Sequence, residues 1–402
     1  MDETKKNPRS ANESLIVVII TVLIFVLALS ALKLPFFKSL ILIVFCVAGM
    51  LVAERRGLME QLFLLYIRHR KLACLICALC VLAVPMVLAT DRYVAHIAVM
   101  AVIYAMVCLG LNFQMGSTNM VNFAPAAFMG IGAYSLAVIT GKMGMSPWFG
   151  MLMAVIFCTI AGLVIGLPTL RTKGYYLSLV TMALQLAFTQ LIKNIPYLGG
   201  PNGIAGVKTF DLFGLPLYKS YTVFGVKLVP QAPYLLFCLI ILGVLIYIAM
   251  RVYLSRSGLA LNAIAQDEVA ADCLGIDVTR HKLFAFVIGS IFCGIGGALY
   301  AGLIGFVGPT DFTFARSLVF ICMVILGGMD SVMGVVLGAF LLTVITEKLR
   351  DFSDYAQLVY ALILIVMLIA RPCGLLPKRV RNYCLLFNRD LKEVDNHAGS
   401  TD

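Results

Sequence analysis

The chain is 402 residues long, 61% hydrophobic and only 13% charged, with a formal net charge of +11. Its mean hydropathy is +0.99, whereas ordinary soluble domains are about half apolar and a quarter charged. So few charges cannot cover a surface in water, which excludes a cytosolic enzyme, a disordered chain and a fibrous repeat, and leaves an integral membrane protein.

A spanning helix needs about 20 mostly apolar residues. The first candidates are 15–32 and 36–53. Lys5, Lys6 and Arg9 precede the first run as they would in a signal peptide, but the run is long for that role and a second span follows Pro35. An uncleaved first helix is expected. Segment 54–71 is apolar at its centre and basic at both ends, the pattern of an interfacial helix or an extended span end. Spans 72–89, 93–115, 120–140, 147–168 and 175–194 follow, the third of them interrupted by Pro125.

Next comes 195–232, expected outside, rich in Gly, Pro, Tyr and Phe and holding Gly199-Gly200-Pro201-Asn202-Gly203. It cannot be one long helix, and its aromatic residues suit the membrane surface or a partner. Span 233–250 leads into an inside loop, 251–282, where a helix over about 260–274 is expected, ended by Gly275. Asp267, Glu268 and Asp272 give it an acidic stripe; Ala260, Ala263, Ala265, Ala270 and Ala271 give it a small-residue surface. Spans 283–305, 316–328, 332–346 and 355–370 complete a set of twelve. The expected fold is an all-α polytopic bundle of 10–12 transmembrane helices with broken or re-entrant elements. A β-barrel would need alternating strands, and these continuous runs do not alternate.

With both termini in the cytoplasm, 20 of the 31 Lys and Arg fall on inside segments, as the positive-inside rule requires. Nine of the twelve cysteines lie in apolar spans, where a thiol packs as a small hydrophobe. Cys74, Cys77 and Cys80 imitate metal-ligand spacing but have no His or Asp nearby to finish a site. No Walker A or HExxH sequence occurs, and the four His are scattered. No Asp or Glu falls within any of the twelve spans. Ion-coupled carriers commonly use intramembrane carboxylates, so this pattern opposes an ion-coupled secondary transporter. It points to a passive conduit driven by another subunit.

One stretch carries unusual polarity at membrane depth: Gly110 to Pro125, with Asn112, Gln114, Asn119, Asn122 and Pro125. Backbone freed by a break must find partners or line a wet cavity. These five are candidate translocation-path residues. The competing reading makes the amides hydrogen-bonded glue between helices; it is the better one for Asn112, and the two stand level for Asn119 and Asn122. Two Gly-rich stretches, 116–132 and 327–338, interrupt apolar sequence in the manner of an inverted repeat.

Several stretches in order resemble the second, M-type permease subunit of bacterial branched-chain amino acid ABC importers. They are GLNFQMG at 110–116, AAFMGIGAY at 126–134, LPTLRTKGYYLSLVT at 167–181, GGPNGI at 199–204, GLALNAIAQDEVAADCLGI at 258–276, ILGGMDSVMGVVLGA at 325–339 and RPCGLLP at 371–377. The chain departs from that pattern at Asn119, Asn122, Ala124 and Pro125, where the family usually has Gly, Ser, Gly and a polar residue. It departs again at Asp330, usually Gly, and at Tyr175, usually an acid.

Hydropathy and charge divide the chain into a transmembrane helix pair with a basic interfacial segment over 1–71, a permease core over 72–377, which the resemblance covers from about 93, and a cytoplasmic tail over 378–402. The resemblance implies a heterodimer with a second permease subunit in the lipid bilayer, two ATP-binding subunits below and an extracytoplasmic substrate-binding protein above. No cofactor is expected on this chain, with ATP and Mg held by the partner ATPases. By the same resemblance Gly258, Ala263, Asp267, Glu268, Ala271 and Gly275 dock the ATPase. A permease for urea or short amides is the nearest alternative, and a structural membrane protein the most distant.

Overall fold

Between Asp91 and Lys348 the apolar runs are helices. The computed structural model describes residues 91–169, 175–212, 215–216, 222–223, 226–227 and 229–348, with isolated positions elsewhere, among them 374–376. Spans 15–32, 36–53, 72–89 and 355–370, segment 54–71 and the cysteine triplet at 74–80 lie outside the continuously described residues.

The helices are α1 (Arg92–Thr118), α2 (Pro125–Ala137, continued by a π-turn to Lys142), α3 (Pro147–Thr169), α4 (Tyr175–Asn194), α5 (Gln231–Tyr253), α6 (Arg256–Gln266), α7 (Glu268–Cys273), α8 (Val278–Ile304), α9 (Phe314–Gly327) and α10 (Val332–Lys348). Among the described residues α1, α3, α4, α5 and α8 are long and apolar enough to cross a membrane, and α9 and α10 are shorter apolar helices. Most of α1 and α8 is buried, whereas only a minority of α3, α4 and α5 is. Leu152, Ile156, Phe157 and Ile160 on α3 are exposed in this way; lipid is the solvent such a face suits.

Two expected elements differ in the structure. The span 120–140 starts only at Pro125, because a proline at the first helical position loses no intrahelical bond and its fixed φ suits the helix. The helix expected over 260–274 is two helices, α6 and α7, parted at Asp267, whose backbone is extended at φ −153. Its carboxylate accepts from Val269 N at 2.9 Å and Ala270 N at 3.0 Å, so it starts a new helix instead of continuing the old one.

The chain forms two compact units. One comprises 1–104, 208–242 and 339–363; in it Phe237 meets Phe210 in a tilted contact and Tyr234 edge to face, with centroids 5.4 and 6.2 Å apart. The other comprises 105–207, 243–338 and 364–402 and holds the site described below. At its centre α8 packs on α2 and α3. Glycines allow the approach: a Cβ on Gly132 would strike the Gly294 backbone, and one on Gly297 would strike the Met129 backbone. Small residues at such crossings let helices in lipid touch main chain to main chain.

In the same unit Ile204–Ala205 (β1) pairs antiparallel with Phe306–Val307, which straps the Gly199–Gly203 turns to the end of α8. The strands between, Asp211–Leu212 with Leu215–Pro216 and Thr222–Val223 with Val226–Lys227, form two small hairpins in the first unit.

Candidate functional site at the helix break

Helix α1 stops at Thr118 and α2 begins at Pro125, leaving 119–124 non-helical. Asn119 makes the stop, with φ 52 in the left-handed region that Asn tolerates better than most residues. Met120 N then donates to Gln114 O at 3.0 Å, and Thr118 Oγ1 donates to the same carbonyl at 2.7 Å. The carbonyls freed at the helix end are in this way partly satisfied.

Amide side chains close the rest of the break. Asn122 Nδ2 donates to Gln114 Oε1 at 2.5 Å, and Asn122 Oδ1 accepts from Ala124 N at 2.8 Å. Gln114 Nε2 donates to Phe286 O on α8 at 3.0 Å. Asn112 donates to the Tyr253 hydroxyl at 3.1 Å and accepts from Asp330 N at 2.8 Å. Asn112, Gln114 and Asn122 are all buried. Asn119 is exposed, and its Nδ2 donates to Ala265 O on α6 at 2.7 Å.

The first turn of α2 is capped by residues from other helices. Ala127 N donates to Gln185 Oε1 at 2.7 Å and Ala126 N to Ser317 Oγ at 3.2 Å. Ser317 Oγ donates in turn to Gln185 Oε1 at 3.0 Å, and Gln185 Nε2 to Phe312 O at 2.8 Å. Phe123 N reaches Thr181 Oγ1 at 3.1 Å. Ala124 offers no side-chain cap of its own, so α4 and α9 supply what the sequence omits.

Sequence reasoning singled out Asn112, Gln114, Asn119, Asn122 and Pro125, and the structure brings all five to this break. It missed Gln185, Ser317 and Thr181, whose only signal was an isolated polar residue in an apolar helix. It also missed the position of Asp330. That residue lies outside every span, as expected, yet it is 7% exposed. It sits in the α9–α10 turn at φ 66, accepting from Ser117 Oγ at 3.0 Å. A carboxyl can therefore be absent from every helix and still lie in the interior.

The short helical segment over 251–282 is a second feature. Ser255 caps α6 by accepting from Gly258 N at 3.3 Å. Gly258 is buried where a Cβ would strike the Val252 and Tyr253 carbonyls. Ala271 is buried, and Ile276 N donates to its carbonyl at 3.1 Å while Gly275 N donates to Asp272 O at 2.9 Å. That is the paired closure of a Schellman cap, with Gly275 left-handed at φ 82. Glu268 pairs with Lys282 at 2.6 Å. Most of the expected docking residues thus shape the segment. Outward it presents Val269 at 74% and Leu274 at 80% exposure, beside the exposed acids Asp267, Glu268 and Asp272. Among the described residues no group of three His, Cys, Asp or Glu is placed to hold a metal ion.

Long apolar helices packed about a hydrogen-bonded break, with a short helical pair on one loop, define a multi-pass helical membrane protein. The chain matches the family described as branched-chain amino acid transport system / permease component over residues 93–370. It is 36% identical over 313 residues to the high-affinity branched-chain amino acid transport system permease protein LivM of Salmonella typhimurium, covering 75% of this chain and 74% of that one. It is 26% identical over 286 residues to the corresponding permease protein LivH of the same organism, covering 68% and 91%. A probable LivM of Methanocaldococcus jannaschii is 24% identical over 340 residues, covering 69% and 91%. No solved structure matches the chain. The chain belongs to the branched-chain amino acid transport permease family.

Proposed function

We propose that this protein is the M-type permease half of an ATP-driven importer of branched-chain amino acids in a bacterial inner membrane, with both termini cytoplasmic. It pairs with a second, LivH-like permease; two ATP-binding subunits dock on 256–276; an external binding protein delivers the solute. ATP and Mg belong to the ATPase subunits.

The observation that carries the docking part is the inside segment. It is a preformed helix pair, held by three caps at Ser255, Asp267 and Gly275 and by the Glu268–Lys282 pair, with Val269 and Leu274 exposed at its tip. Exposed leucine and valine on a rigid tip suit an apolar cleft on a partner. The route for the solute lies beside the 119–124 break, where helix ends and amides meet.

The test is uptake of labelled leucine into proteoliposomes holding the complete assembly. Uptake should require internal ATP and external binding protein, and should be competed by isoleucine and valine. Competition by urea or acetamide alone would move the substrate to short amides. Uptake driven by a proton or sodium gradient without ATP would overturn the reading.

A further inference from the structure

Asn119 ends one helix and caps the last turn of another. Its backbone is the left-handed residue that stops α1. Its side-chain amide donates at 2.7 Å to Ala265 O, in the last turn of α6. That carbonyl is among the four that a helix end leaves without an intrahelical donor, because the chain turns extended at Asp267.

The turn at 119 needs a residue that tolerates positive φ, and glycine would meet that need alone. The amide is an addition to the turn. It differs from the other amides of the break in being exposed, so it fills no core. It reaches 146 residues along the chain to the segment that carries Val269 and Leu274. On its other side the break is tied to α1 through Asn122 and to α4 through Phe123 N, and it leads directly into α2.

We propose that Asn119 is a positioning residue for transport: a strut that makes the 119–124 break, and α2 beyond it, follow displacements of α6 and α7. This inference rests on the reading that 256–276 docks the ATPase subunits. A strut of this kind adds little to folding, since an exposed hydrogen bond exchanges with water. It shows itself in coupling, the number of ATP hydrolysed for each amino acid imported.

The experiment uses the full assembly in proteoliposomes with Asn119→Gly and Asn119→Asp. Glycine keeps the left-handed turn and removes the amide; aspartate keeps the shape and removes the donor. The ATP-to-leucine ratio should rise at least about twofold in both, the low end of what single residues along a coupling network contribute. The amount of assembled complex and of bound ATPase should stay native. A native ratio in both variants would overturn the strut, and so would a fall in assembled complex with a native ratio in what remains. Val269→Asp and Leu274→Asp separate this from the docking reading. If they release the ATPases while Asn119→Gly keeps a native ratio, docking stands and the strut falls. If the ATPases stay bound to both, docking falls and the strut with it.

Discussion

Asn122 folds back on Gln114, eight positions earlier, and the two amides bond at 2.5 Å while Asn122 also caps Ala124 N. Both ends of the Asn122 amide are spent inside the protein. Asn122→Leu should leave Gln114 Oε1 and Ala124 N without donor and acceptor, at about 1–3 kcal/mol for each buried group. The amount of folded permease should fall steeply, and the surviving molecules should import leucine at the native rate per molecule. Size-exclusion yield and uptake normalised to that yield measure the two. A native yield with a lowered rate per molecule would place Asn122 on the solute route instead.

Asp330 occupies a left-handed turn, and both its backbone and its carboxyl are bonded. Asp330→Asn keeps a residue suited to the turn and an acceptor for Ser117, so its melting temperature in detergent should stay near native. Asp330→Gly loses the acceptor alone. Asp330→Ala loses the acceptor and strains the turn by a further 1–2 kcal/mol or so. The order Asn, Gly, Ala in falling stability is expected; Ala at or above Gly would deny that the backbone is constrained there.

Glycines at the α2–α8 crossing separate contact from composition. Gly132→Val and Gly297→Val should abolish folded protein, since each new side chain would meet backbone that cannot turn aside. Gly243→Ala on α5, where nothing lies within 4 Å of the added carbon, should be neutral or slightly stabilising through helix propensity. Fluorescence-detected yield checks all three.

Orientation follows from placing single cysteines in a Cys-less background. A membrane-impermeant thiol reagent added to intact cells should label Asn202→Cys and spare Gln266→Cys, both at exposed positions. The reverse pattern would put 256–276 outside and remove it from any cytoplasmic ATPase.

Much of this was legible in the sequence, element by element. Span 175–194 coincides with α4 because a mostly apolar run of about one bilayer's length, bounded by charge and Pro, admits one reading. The break near Pro125 was legible too, since Asn, Gln and Pro at membrane depth have few other uses. The α6–α7 division was not. Asp267 in the run Ala-Gln-Asp-Glu-Val suits an acidic stripe on one helix as well as the cap of a second, and only the backbone decides between them. Gln185 and Ser317 were out of reach for a different reason. They cap a helix that starts 60 residues before one and 192 before the other, and no local pattern records a partner at that distance.

Where Gly132 of α2 meets Gly294 of α8, and Gly297 meets Met129, main chain rests on main chain. Elsewhere a side chain can change rotamer and absorb a small shift; here there are none to change. Helices α2 and α8 therefore have little room to slide past one another, and the chain leaves helical geometry at the two ends of the pair, in 119–124 ahead of α2 and at the left-handed Gly305 that ends α8. A molecule wedged at the Gly305 end would act on the pair without occupying the 119–124 break, beside which the solute's route is proposed.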